Sequence, residues 1–432
     1  MSGPFVVAAD PLLAGDIGWV EVLLTLAKVV VAFAFLLVAV MLMIWFERKL
    51  IAGMHQRFGP TIAGPFGVLQ TLADGIKLFF KEDLVPDRSD RFVFKLAPYL
   101  SLIPAFLAFA IIPLGGDFND GSSGEFTWWD RTTYLQVADP PVGILLFLAM
   151  SSVAVYGVML AGWSSGSKYP LLGSVRASAQ MVSYEAALGL AVASIVLVTG
   201  GLSTHDMVVA QAAEGYFGVI PRWNVVVTGL VPFIVFAIAG TAELNRPPFD
   251  LVEAEQELVG GFHTEYSSIR FALFFLAEFM NTITMSAVVV TLFLGGPAGP
   301  VLVGEIAGVG VGWVWGIVWF FLKLFVLLFC FVWMRATLPR FRYDQLMDLG
   351  WKVLIPVALG WFLFLAALDL SRDEGWSEAA VTVVSLAAFT VAAMLLSRAV
   401  RRGRASRQGA RPAEPDESAE SAEPAESVRE KV

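Results

Sequence analysis

Apolar residues run along this chain in long blocks broken by short polar stretches. Nine blocks stand out, at 22–45, 96–114, 141–161, 180–199, 225–242, 269–294, 312–333, 352–369 and 378–397. A bilayer core about 30 Å thick is crossed by about 20 apolar residues of helix. The pattern therefore predicts an all-α polytopic membrane protein with about nine transmembrane helices. One shorter pattern has a different period. From Phe66 to Lys81, Leu69, Leu72, Ile76 and Phe79 recur at steps of three and four. Gln70, Asp74, Lys77 and Lys81 fall opposite them, within an arc of about 60°. This predicts a short amphipathic helix, too polar to span. It either lies in the membrane interface with its lysines toward lipid phosphates, or lines a wet cavity with its polar stripe. Asp74 and Lys77 are neighbours on that stripe and can pair.

Composition agrees with the blocks. The hydrophobic fraction is 57% and the charged fraction 16%, with a mean hydropathy of +0.71. Soluble domains carry about 25% charged residues. The net charge of −9 is unevenly spread, much of it after Arg411 and near residue 253. No basic stripe with interleaved aromatics occurs, which argues against nucleic acid as a partner. Lys and Arg crowd alternate loops: Arg48 to Lys95, Lys168 and Arg176, Arg246 and Arg270, Arg335 to Lys352, and Arg398 to Arg404. The opposite loops hold only Arg131, Arg222 and Arg372. The positive-inside rule then places the N-terminus outside and the C-terminal tail in the cytoplasm. The expected organisation is an external segment at 1–21, a transmembrane domain at 22–397 with cytoplasmic loops, and a disordered cytoplasmic tail at 398–432. No cleaved signal peptide is expected, since no Lys or Arg precedes Lys28 and the first block is too long.

Charges inside spans cost about 3 kcal/mol or more and normally face a bundle interior or a water path. Glu185 and Glu278 are such charges, as structural acids or as steps of a proton path. Lys323 is expected to pair with an acid on a neighbouring helix, and Lys28 to snorkel from a span end. The densest charge cluster follows Ala242. If a helix runs from Asp250 to Val259, Asp250, Glu253 and Glu257 share one face and Glu255 points away; Gly260-Gly261 is a plausible stop. Three carboxylates on one face repel, so one should titrate at ordinary pH. The last basic loop, Arg335 to Gln345, either anchors the chain or contacts partner carboxylates or a polar head group. The single cysteine, Cys330, cannot supply the four ligands of an iron–sulfur cluster. No dinucleotide fingerprint or P-loop sits in a usable context. Electrons for any redox chemistry must come from another subunit.

Several segments resemble one family in order along the chain. They are Glu47-Arg48-Lys49, Gln56 to Pro60, Leu72 to Lys77, Gly162-Trp163 with Ser167-Lys168-Tyr169, Arg176 to Glu185, Ala242 to Tyr266, and Arg335 to Gln345. Together they resemble the H subunit of bacterial complex I, subunit 1 of mitochondrial NADH dehydrogenase. The resemblance covers Glu47 to about Pro356. It implies a membrane subunit of a proton-pumping NADH:quinone oxidoreductase in the bacterial plasma membrane, with other complex I subunits as partners. NADH, FMN and iron–sulfur clusters would belong to those partners, and quinone would be the substrate, entering through a tunnel formed largely by this subunit. Carried over by motif, the tunnel set is Arg48, Arg57, Phe58, Gln70, Asp74, Lys77, Phe249, Arg335, Arg340 and Arg342. The proton path is Glu185, Glu243, Asp250, Glu253, Glu255, Glu257 and Glu278. Residues 1–20 and the tail after about 400 match no motif, and the ninth span exceeds the mitochondrial eight. Two alternatives remain: the related membrane subunit of an energy-converting hydrogenase, and a stand-alone secondary transporter. The transporter predicts two pseudo-symmetric halves, and no internal repeat is found.

Overall fold

In the computed structural model, the described residues are 10–13, 18–118, 123–128, 131–212, 222–251, 258–300, 305–306, 309–310, 312–377, 380–385, 387–391, 394–395 and 398. Among them, seven helices are long and apolar enough to cross a membrane. They are α1 (Trp19–Met54), α3 (Arg91–Phe109), α4 (Gly143–Ser164), α5 (Lys168–Thr199), α8 (Ser268–Phe293), α9 (Gly312–Thr337) and α10 (Tyr343–Asp373). Two shorter apolar helices, α7 (Leu230–Glu243) and α11 (Ala380–Val391), fall on the remaining two blocks. The short α2 (Gln70–Phe80) and α6 (Thr204–Ala212) complete the helices used below. Two small hairpins add strand, Glu125–Trp128 with Arg131–Tyr134 and Glu305–Ile306 with Val309–Gly310. The chain is a multi-pass, all-α membrane protein.

α8 is the central element. From Thr282 to Phe293 it is buried all round, as expected of an apolar helix in the middle of a bundle. Leu36 and Ile44 of α1, Tyr184 and Leu188 of α5, Phe236 of α7 and Phe320 of α9 join the same core. α3 and α4 run side by side because Gly157 lets them: a Cβ there would sit 2.2 Å from Ser101 Oγ and 3.1 Å from the Ala97 carbonyl. α9 and α10 keep most of their surface outward, the exposure expected of lipid-facing helices.

One block edge moves far. α5 begins at Lys168, not near residue 180, because its first three turns bury small polar side chains. Ser174, Ser178 and Gln180 are all buried there, and Gln180 Nε2 donates to the carbonyls of Ala242 at 2.7 Å and Phe249 at 2.9 Å. Glu185 therefore lies mid-helix, about 25 Å along α5 at 1.5 Å per residue. Two lysines also differ from expectation. Lys28 turns inward to Asp10 at 2.5 Å and to the Thr133 hydroxyl. Lys323 pairs with no acid among the described residues. Its Nζ donates to the carbonyls of Leu294, Gly296 and Ala298 at 2.7, 2.9 and 2.8 Å and lies over the Trp223 ring. Those carbonyls just follow the end of α8, where a cation is favoured by the helix dipole.

Candidate functional site

The basic loops gather at one end of the bundle, where α1 finishes and α8 begins. The first loop is folded tightly back there. Lys49 Nζ donates to the Pro60 carbonyl at 3.1 Å and Trp45 Nε1 to the Phe66 carbonyl at 3.1 Å. Gly67 has φ +79°, and a Cβ on it would lie 2.3 Å from the Pro60 carbonyl oxygen. Only glycine accommodates both the sign of φ and that approach. α2 then packs its polar edge on the end of α1. Arg48 bonds Asp74 at 2.6 Å, and Gln70 Nε2 bonds the other Asp74 oxygen at 3.1 Å. Asp74 thus pairs across helices, not with Lys77, which takes part in no ion pair among the described residues. The apolar face of α2 turns outward: Leu72, Ile76 and Phe79 are all exposed.

Beside this corner opens a cavity of about 520 Å³. Its walls come from α1 (Ile44, Glu47, Arg48, Ile51, Ala52), the first loop (Arg57 to Pro60), α8 (Phe275, Glu278, Phe279) and α9 (Arg335). Phe58 is fully exposed at this wall. The interior is amphipathic, with phenylalanines and isoleucines interrupted by three arginines and two glutamates.

A charge cluster forms the inner wall. The Glu47 side chain is 6% exposed, and Arg335 and Arg246 both bond to it, Arg246 at 3.3 Å. Arg246 Nε also faces Glu278 Oε1 at 3.0 Å, and its guanidinium lies over the Phe279 ring, 4.2 Å from the centroid. Buried charges survive where each has an opposite partner, and this cluster meets that condition. Asp250, also buried, accepts from Arg340 at 3.2 Å.

Two smaller cavities continue inward. The first, about 80 Å³, is lined by Glu243, Asn245, His263, Glu278 and Asn281, among apolar neighbours. The second, about 30 Å³, touches Ser151, Glu243, Asn281 and Thr284. Glu278 borders the large cavity and the first small one; Glu243 borders both small ones. Next to Ser151 on α4, Ser152 donates to Glu185 of α5. Glu278 and Glu243 thus border adjoining spaces, and Glu185 lies beside them through Ser152, without bordering a cavity itself. Burial pushes His263 down to about 4, so it faces this route as a neutral imidazole. Tyr266, on the loop after it, is pushed up to about 12, chiefly by burial, and donates to the Phe94 carbonyl at 3.1 Å.

The remaining residues expected at the site lie elsewhere. Phe249 is buried, stacked on Phe341 at 5.4 Å and near Tyr184 at 5.8 Å, and does not border the large cavity. Arg342 is exposed, its backbone N–H donating to Gln345 at 3.3 Å. Glu253, Glu255 and Glu257, with the helix expected over Asp250–Val259, lie outside the described residues apart from the ends. Sequence reasoning left out Glu47, Arg246, Phe275, Phe279 and Asn281. A signal existed for some of them: Glu47 follows Trp45-Phe46 at the end of an apolar block, and Phe275, Phe279 and Asn281 stand at −3, +1 and +3 from Glu278.

This arrangement defines a membrane protein with an amphipathic pocket adjoined by smaller spaces that Glu278 and Glu243 border. The NADH dehydrogenase family pattern matches residues 27–366, and the chain belongs to that family. Similar proteins are the H subunits of NADH-quinone oxidoreductase from two Frankia species. That of Frankia casuarinae is 51% identical over 370 residues (85% of this chain, 77% of the relative), and that of Frankia alni 50% identical over 368 (84% and 77%). The H subunit from Streptomyces avermitilis is 46% identical over 381 residues (88% and 80%).

Proposed function

We propose that this chain is the quinone-handling membrane subunit of a proton-pumping NADH:quinone oxidoreductase. The observation that carries this is the 520 Å³ cavity, which shares Glu278 with the acid-lined spaces behind it. Ligand pockets typically enclose about 300–1,000 Å³, mostly apolar with a few placed polar groups. A quinone has that character, a flat head with two oxygens on an apolar tail. Reduction takes two electrons and two protons and yields the quinol. The electrons would come from iron–sulfur clusters in partner subunits, fed from NADH through FMN.

The chain's own residues have separable tasks. Phe58, Phe275 and Phe279 bind the apolar body. Arg48 and Arg57 place positive charge where the quinone oxygens become negative, the electrostatic stabilisation that preorganised donors supply best, while Arg335 lines the wall with its charge turned to Glu47. Asp74 and Gln70 orient Arg48, and Lys77 extends the polar stripe of α2. Arg340, Arg342 and Phe249 hold the loop that closes on Asp250. Glu278, Glu243 and Glu185 pass protons or charge from the cavity toward neighbouring membrane subunits, with Asp250, Glu253, Glu255 and Glu257 forming the acidic approach. The excess of arginine and lysine at the cavity end supports a cytoplasmic orientation for it.

The test is kinetic, on the assembled complex in membranes. Glu278→Gln is expected to lower quinone reduction and proton pumping together by about tenfold or more. Wild-type turnover and pumping in this variant would refute the path.

A further inference from the structure

Glu47 is the most enclosed charge at the cavity, and neither quinone binding nor the acid chain uses it directly. α1 delivers it into the wall at 4% residue exposure. Arg335 reaches it from α9, and Arg246 from the loop after α7 at 3.3 and 3.4 Å. Arg246 at the same time faces Glu278 at 3.0 Å. These are not the only contacts of Arg246, but they join two acids on different helices through one guanidinium. Two carboxylates and two guanidiniums sum to zero.

We propose that Glu47 is a positioning residue: by sharing its carboxylate between Arg335 and Arg246 it keeps the cluster of Glu47, Glu278, Arg335 and Arg246 neutral and holds Arg246 at the distance from which it reaches Glu278. This rests on the quinone reading of the cavity. Charges a few Å apart in a poorly solvated wall interact far more strongly than in water. Remove the Glu47 charge and the wall gains one positive charge. Arg246 already contacts Glu278, the acid that borders both the large cavity and the first small one, and with Glu47 neutral the unbalanced charge of Arg335 bears on that acid as well. Quinone still enters, but the acid next to it is tied up. The defect therefore belongs to kcat more than to KM.

Charge balance and simple clamping make opposite forecasts for a double variant. In native membrane vesicles holding the assembled complex, quinone reduction is measured for E47Q, R335Q and E47Q/R335Q. Rates are normalised to electron transfer from NADH to ferricyanide, which does not use the quinone site. Each single variant is expected to lose about tenfold in kcat, with a smaller change in quinone KM. The double variant restores neutrality and is expected to recover to within about threefold of the parent, the non-additivity that coupled charges show. A double variant as slow as the slower single would overturn the proposal, since a clamp that has lost both jaws cannot recover. Should E47Q fail to accumulate, accumulation becomes the readout: its return in the double variant supports the proposal and its absence overturns it. Phe58→Ala reports on the underlying reading separately. An unchanged quinone KM there would refute the cavity as the quinone site, whatever the charge variants do.

Discussion

Arg48 and Asp74 meet at 2.6 Å with their side chains 43% and 37% exposed, so their pairing contributes at most about 1 kcal/mol to stability. What the pair fixes is direction: it aims a guanidinium along the cavity wall. Asp74→Asn is expected to leave the amount of assembled complex unchanged and raise the quinone KM about three- to tenfold. Michaelis curves on membranes check this, and an unaltered response to quinone concentration would count against it. His263 gives a pH expectation. Because burial holds it near 4, it is neutral in the folded protein from about pH 5 upward, whereas an ordinary histidine titrates near 6.5. His263→Gln is expected to leave the shape of the rate profile between about pH 5.5 and 8 unchanged; a lost limb near 6.5 would show that His263 titrates in turnover. Glu185 and Glu278 stand out in the sequence because each interrupts an apolar block, and the structure sets Glu278 at the large cavity. The partners of the charged residues do not. Asp74 with Arg48, and Lys323 with three carbonyls, depend on contacts across helices that no spacing along one helix reports.

At the scale of elements, hydropathy located the spans but not their starts. α5 hides three polar turns inside the bundle, where Gln180 donates to carbonyls at the end of α7 and in the loop beyond it. A helix buried among other helices need not be apolar there, so the apolar block began 12 residues late by comparison with Lys168. Close helix approach was equally silent in the sequence. Gly157 looks like any glycine in an apolar run, yet a side chain there would strike Ser101 and the Ala97 carbonyl. Gly157→Val is expected to push α3 from α4 and cost about 1–3 kcal/mol, as overpacking does. A lower yield of assembled complex, at wild-type activity per complex, checks this. Lys323→Met leaves three carbonyls after α8 without a donor, a loss of about 1–3 kcal/mol for buried acceptors. It should lower the thermal midpoint of the complex without moving the quinone KM.

For the whole molecule, the central arrangement is polar and one-sided. An amphipathic cavity opens at the basic end, and adjoining spaces bordered by Glu278 and Glu243 lead inward from it. The core around Phe236, Phe293 and Ile195 is apolar and buried, which suits a subunit that passes charge sideways to a neighbour more than one that conducts straight through. The claim on which all of this depends is that the cavity between α1, the first loop and α8 holds quinone. Photolabelling of the assembled complex with a light-activated quinone analogue tests it most directly. The account predicts label on the peptides bearing Phe58 and Phe275–Phe279, and loss of that label when excess natural quinone competes. Label confined to the outward faces of α9 and α10, or label on the cavity peptides that quinone does not displace, would contradict it.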